Sequence, residues 1–399
     1  MESKSKNEYA VKSSNSKNSA NQTIHVKNSL INHCLKENAH SRTIVTIPDD
    51  KQNSFLVGVT AKTKNSEVIK VVYDELNKKM SSETILDFNK ANEDKEKELI
   101  NEIYAIYPRN TTDFFVNVLN STTKKHELKL FTESKSNEFS NISCVDCDDV
   151  FDIINYKNNN ETIDFIDKQS IKTIDINKNS TTDEIKLTEN NNEIPIKISS
   201  DNSALDENLI GCGIGKDVYI TDFKSKKPSI KINDAHDNSV LCFQFDPVSP
   251  FNFATSGTDY SLKFWDYRKP NIEYGGIYNN SHWIWSFKYN KNYSNIMITA
   301  SSSSLVRGIV FDKYRDTDLK NGKEGENIAG ISSSLATLGK YSSDKNVKQY
   351  TFIDYFEFED SVYSIDWLKN DSWLFVATSF NSYFHVNAIP EDIKYKIML

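Results

Sequence analysis

Few residues in this chain have the types and spacing that chemistry requires. Cys144-Val-Asp-Cys147 has CxxC spacing, and Asp146, Asp148, Asp149 and Asp152 form an acidic cluster beside it. A zinc site needs two more ligands at similar spacing, and none follow. A redox pair needs a helix N-terminus in a thioredoxin-like unit, which this context does not offer. The cysteines therefore read as strand-edge thiols and the aspartates as a solvated turn. Cys34, Cys212 and Cys242 bring the count to five, an odd number that reads as free thiols. Gly211-Cys-Gly213-Ile-Gly215 clusters glycines between two short strands, but no helix follows to hold a dinucleotide. No nucleophile elbow, HExxH or calcium loop occurs. The expectation is no catalytic residue, no metal and no cofactor.

The polar residues with a clear task lie in 234–268. There a turn containing His236 leads into the apolar run Val240-Leu-Cys-Phe-Gln-Phe245, then a break at Pro247, then Phe253-Ala-Thr-Ser-Gly257. An acidic turn at Asp259 and a run closing on Trp265-Asp266 complete the unit. That order is the signature of one WD40 propeller blade. The expectation is a buried structural network of His236, Thr255 or Ser256, Asp259 and Trp265, in which the aspartate orients the histidine and each polar group has a partner.

Two further sets of residues are candidates for partner binding. Trp283 and Trp285 alternate along a strand and so share one side of it. They fit either a buried core or a partner-binding rim, where Trp is enriched. Trp265-Asp-Tyr-Arg268 fits the WDxR pattern of propellers that serve as substrate receptors of cullin-type ubiquitin ligases. On the plainer alternative, Arg268 pairs with a neighbouring carboxylate.

One blade cannot bury both faces of its sheet, so more must flank it. Triplets of short β-type runs start near 55, 102, 150, 194, 239, 283 and 361, which predicts an all-β, seven-bladed WD40 β-propeller over 43–399. Ile194-Pro-Ile-Lys-Ile198 is one such run, while the charged stretch 75–98 reads as a polar connection. Phe245, Tyr289 and Trp367 end equivalent first strands, and nine residues before them stand His236, Asn280 and Phe358. Asp259 likewise corresponds to Ser303 and Asn381, so neither of those two blades can build the same network. Ring closure must hide sheet edges, and a strand near Thr43–Pro48, or a comparable overlap of the termini, is expected to complete the last blade. Residues 1–42, rich in Ser, Asn and Lys, read as a disordered tail, and roughly 313–347 as a long solvated loop.

The bulk numbers agree. Twenty-two Phe and 19 Tyr compensate for an apolar content of only 38%. A net charge of −8 argues against nucleic-acid binding. Nothing approaches 18 consecutive apolar residues, and no signal-type run begins the chain, so a cytoplasmic protein without membrane insertion is expected.

The C-terminal half carries a more specific likeness. Ser281-His-Trp-Ile-Trp-Ser-Phe-Lys-Tyr-Asn290, Glu359-Asp-Ser-Val-Tyr-Ser-Ile-Asp-Trp367, Trp373-Leu-Phe375, Ile389-Pro390 and the ending Lys394-Tyr-Lys-Ile-Met-Leu399 closely resemble the EARP and GARP complex-interacting protein family. The likeness is strong over 234–399 and weaker but collinear at Phe55-Leu-Val-Gly58, Glu102-Ile-Tyr104 and Asn233-Asp-Ala-His236. It implies a non-enzymatic propeller adaptor binding the endosome-associated recycling and Golgi-associated retrograde tethering complexes. It further implies work in endosomal recycling and retrograde transport, at endosomes and the trans-Golgi network. No family motif assigns individual contact residues.

Overall fold

The computed structural model describes residues 22–398, apart from 27–28, 62–65, 89–100, 121–125, 134–138, 146–151, 155–161, 176–177, 188–196, 204–205, 312–349 and some single positions between them. Seven antiparallel sheets follow one another along the chain, spanning 39–87, 101–145, 152–186, 199–232, 240–277, 284–355 and 362–388. In each, the first strand in sequence lies on the axis and successive strands step outward. The apolar core is divided accordingly. Each of seven clusters fills the wedge between two consecutive blades, as where Phe243, Phe253 and Trp265 of the fifth blade meet Val218 and Ile220 of the fourth.

This geometry explains which strands carry a sequence signal. A second strand is covered by blades on both faces, so Asn53–Ala61, Asn252–Gly257, Ile296–Ser301 and Leu374–Ser379 are buried at every position. An outermost strand needs only backbone pairing on one side. Thus Lys79–Asp87, within the stretch expected to be a polar connection, is the fourth strand of the first blade although most of its side chains face solvent. Ser180–Lys186 does the same in the third blade. The triplets legible in the sequence are quartets in space.

Of the two closures expected, the overlap of the termini is the one that forms. Ala39–Thr46, which overlaps the strand expected to complete the last blade, is instead the axial strand of the first. The last blade is completed by Ile31–Cys34, antiparallel to Tyr383–Ala388. Gln22–Val26 adds a fifth strand to the sixth blade, parallel to Tyr350–Tyr355. The expected disordered tail therefore does not hold for the described residues 22–26 and 29–42, where Ile24 and Val26 are buried in the wedge between the sixth and seventh blades. Two short strands with few apolar residues suffice because the sheets they join already supply most of the apolar surface. Residues 1–21 and the expected 313–347 loop lie outside the described residues.

Two smaller differences have local causes. The described first strand of the fourth blade is Ser199–Asn202; of the run expected there, 194–196 lie outside the described residues and Lys197-Ile198 lead directly into the strand. Its polar side chains reach the next blade: the Phe243 N–H donates to Ser199 Oγ (3.2 Å) and the Phe245 N–H to Asp201 Oδ2 (2.9 Å). Gly211 serves packing, not a phosphate, since a Cβ there would lie 2.1 Å from Phe243 Cζ of the adjoining blade. The C-terminal residues form a helix, Glu391–Met398, with Glu391 and Asp392 in its first turn and Lys396 in its last, as its dipole favours. Ile393 and Ile397 bury it against the sixth and seventh blades.

Candidate functional site

The polar network of the fifth blade forms as a chain of hydrogen bonds. Asp259, ionised, can only accept, so His236 Nδ1 carries the proton it donates at 2.9 Å to Oδ1. Nε2 then accepts from the Thr255 hydroxyl at 2.8 Å, and that oxygen accepts the Trp265 indole N–H at 2.8 Å. Burial lowers the His236 pKa despite the facing carboxylate, which keeps the ring neutral. Burial pushes Asp259 the other way, but donors from His236, Ser261 and the Asp237 backbone hold its carboxyl well below the usual range.

Of the two alternatives, Thr255 is the network residue. Ser256 points into the next wedge and donates to the Ile284 carbonyl at 2.9 Å, between the two tryptophans. Two participants were not legible in the sequence. Ser261 Oγ donates to Asp259 Oδ1 at 2.7 Å. Gly257 leaves the space the imidazole needs, since a Cβ there would lie 2.5 Å from His236 Nδ1 and 2.8 Å from Asp259 Oδ1. The drifted blades use substitutes. Phe358 packs its ring 4.3 Å from that of His385, whose pKa burial pushes down to about 4.

Trp283 and Trp285 are half-buried, belonging to neither the core nor an open surface, with rings 5.5 Å apart in an edge arrangement. Trp285 packs against Tyr363 of the seventh blade, ring centroids 4.8 Å apart and tilted by 35°. Arg268 lies apart from them, past the other end of its blade's strands. Its guanidinium grips Asp266 at 2.9 and 2.6 Å and lies 3.9 Å from the Phe251 ring centroid. This is the pairing with a neighbouring carboxylate that the sequence allowed.

The axial strands enclose a cavity of about 520 Å³, which no motif announced. Its wall is stapled from blade to blade. Asp152 accepts from Tyr107 Oη (2.7 Å), Ser200 N–H (2.7 Å) and Ser200 Oγ (2.8 Å), so three consecutive blades meet on one carboxylate. Gln244 Oε1 accepts the Tyr289 N–H (2.9 Å), and Asp366 Oδ2 accepts from the Thr46 N–H (3.0 Å) and hydroxyl (2.6 Å). Asp152 was expected in a solvated acidic turn. It is instead enclosed, and burial raises its carboxyl pKa against the donors from Tyr107 and Ser200. Asp146, Cys147, Asp148 and Asp149 lie outside the described residues, and among those described no group of three or more His, Cys, Asp or Glu is placed to hold a metal.

A family model described as the EIPR1 β-propeller matches residues 31–307, most of the ring from its closing strand to the sixth blade. The chain belongs to this family. Over 178 residues it is 29% identical to EARP and GARP complex-interacting protein 1 of Rattus norvegicus, covering 45% of each chain, and the protein of that name from Homo sapiens matches equally. EARP-interacting protein 1 of Caenorhabditis elegans is 24% identical over 193 residues, which are 48% of this chain and 51% of that one. The chain spans about half the length of the curated relatives it matches. In this EIPR1-type propeller the fifth blade holds the complete polar network and the sixth carries the Trp-bearing strand at the channel. No helix among the described residues is long and apolar enough to cross a membrane.

Proposed function

We propose that this chain is a non-enzymatic adaptor that binds the EARP and GARP vesicle-tethering complexes. It would act in endosomal recycling and in retrograde transport to the trans-Golgi network, as a peripheral component at those membranes. The observation that carries this reading is family membership over 31–307, joined to relatives whose names state that interaction. The geometry is compatible with it. A ring whose wedges and seams are locked by apolar packing and side-chain staples can present its ends to a partner with little shape change. The network polar groups serve one another and leave no nucleophile beside a free base. Affinity purification of the tagged protein from native lysate, followed by mass spectrometry, is expected to recover tether subunits. Recovery of none would overturn the proposal.

A further inference from the structure

The sixth blade has one strand more than the others. Six of the seven sheets are four-stranded, and Ile284–Tyr289, Ile296–Ser301, Val306–Phe311 and Tyr350–Tyr355 already give the sixth its four. Ile31–Cys34 supplies the fourth strand that the seventh blade lacks, whereas Gln22–Val26 is a fifth strand laid on a finished edge. It runs parallel to Tyr350–Tyr355, while the pairs inside the blade are antiparallel. Parallel pairing is slightly the weaker of the two per residue.

The contact is small and imperfectly matched. Two side chains carry it: Ile24 lies level with Ile353 and Val26 with Tyr355, all four buried in the wedge toward the seventh blade. Thr23 and His25 alternate with them and are half-buried. The His25 ring packs 5.3 Å from that of the exposed Phe356, yet its Nδ1, shut off from solvent, has no hydrogen-bonding partner among the described residues. A buried polar atom left unmatched weakens the strand that carries it. Five residues paired along one side, with two apolar anchors, stand at the low-stability end of the molecule. The edge beneath them offers the backbone groups of Tyr350–Tyr355 and two apolar sockets at alternate positions.

We propose that the outer edge of the sixth blade is a docking site for a β-strand of a partner protein, which residues 22–26 occupy in cis. The partner supplies an extended segment parallel to Tyr350–Tyr355, with β-branched apolar residues two positions apart where Ile24 and Val26 sit. It carries no proline, which could not donate to the ladder. Main-chain hydrogen bonds give such a segment its affinity, and the two sockets give it selectivity. The cis strand shows which chemistry the edge accepts. Being tethered, it competes at an effective concentration on the order of millimolar, so a partner displaces it only when a further contact holds that partner on the ring. Until then the cis strand keeps an adhesive edge covered. The proposal rests on the adaptor reading only in expecting that the partner belongs to a tethering complex.

The test uses the full-length chain. Ile24→Asp together with Val26→Asp puts charge into both sockets and releases the strand, and binding of a fluorescein-labelled peptide of residues 20–28 is followed by anisotropy. The double variant is expected to bind this peptide roughly tenfold or more tightly than wild type does, because no tethered strand competes. A peptide carrying the same two aspartates is expected to bind neither protein. If the double variant fails to fold, hydrogen exchange of the wild type decides. The amides of 22–26 are then expected to exchange roughly tenfold or more faster than those of Val306–Phe311 in the same blade. The proposal falls if the peptide binds the double variant no better than wild type, if the aspartate peptide binds as well, or if 22–26 are protected as strongly as 306–311. It also falls if wild type is a dimer that the peptide dissociates, which would assign the edge to a second copy of the chain. Tether recovery separates the two readings. Greater recovery by the double variant makes the tether the strand donor, and equal recovery removes it as donor but keeps the adaptor. A wild type that recovers no tether removes the adaptor, while peptide binding still decides the edge.

Discussion

His236 Nδ1 and Asp259 Oδ1 stand 2.9 Å apart, with the bare Cα of Gly257 beside them where any side chain would collide with both. Truncating the ring leaves Asp259, Thr255 and Ser261 with unmatched groups. His236→Ala is therefore expected to destabilise by roughly 1–3 kcal/mol, and Gly257→Ala by a comparable amount through overpacking. Urea unfolding measures both. A change within about 0.5 kcal/mol for His236→Ala would contradict its burial.

His385 supplies a pH dependence whose sign is determined. Its folded pKa, pushed to about 4 by burial, lies below the ordinary 6.5, so the unfolded chain takes up the proton first as pH falls. Its contribution is complete above about 6.5 and is lost between there and about 4, a loss of roughly 3 kcal/mol. His236 acts in the same direction. Asp246 opposes both, because burial raises its folded pKa to about 6 and the folded state binds its proton more readily. The comparison with His385→Leu isolates the histidine: its stability should fall less than that of wild type between pH 7 and 4.5.

Ring closure can be tested by truncation. Deleting residues 1–35 removes both joining strands, exposes two sheet edges, and uncovers the wedge that Ile24 and Val26 fill. A loss of roughly 3 kcal/mol or more, with self-association in size-exclusion chromatography, is expected. Deleting residues 1–20 is the control, since it leaves both strands in place.

The Asp152 staple ties the second, third and fourth blades, and Asp152→Ala would leave Tyr107 and Ser200 without their acceptor. The expected cost is roughly 1–3 kcal/mol, read by denaturant midpoint.

Arg268 is part-exposed and held by Asp266 and Phe251, at the opposite end of the ring from the tryptophans. Arg268→Ala is expected to change stability by at most about 1 kcal/mol. It should leave tether recovery unchanged, which the same affinity purification measures.

Sequence alone determined the repeat. Apolar runs at even spacing mark the strands buried on both faces, and seven triplets became seven blades. The histidine, the acidic turn and Trp265 specified one complete network because their partners lie within thirty-odd residues of each other. Tertiary structure decided everything made by partners far apart in the chain. The outermost strands carry no apolar pattern, because only their backbone is required. The closing strands 22–26 and 31–34 find their sheets more than 300 residues later. Asp152, read as one of four solvated aspartates, became a seam of the ring once Tyr107 and Ser200 met it. The register shifts that displace Trp285, Tyr363, Arg42 and Tyr104, all of which line the channel, arise from a two-against-one pairing between strands. Composition cannot reveal such a mismatch, because it exists only when both strands are in register.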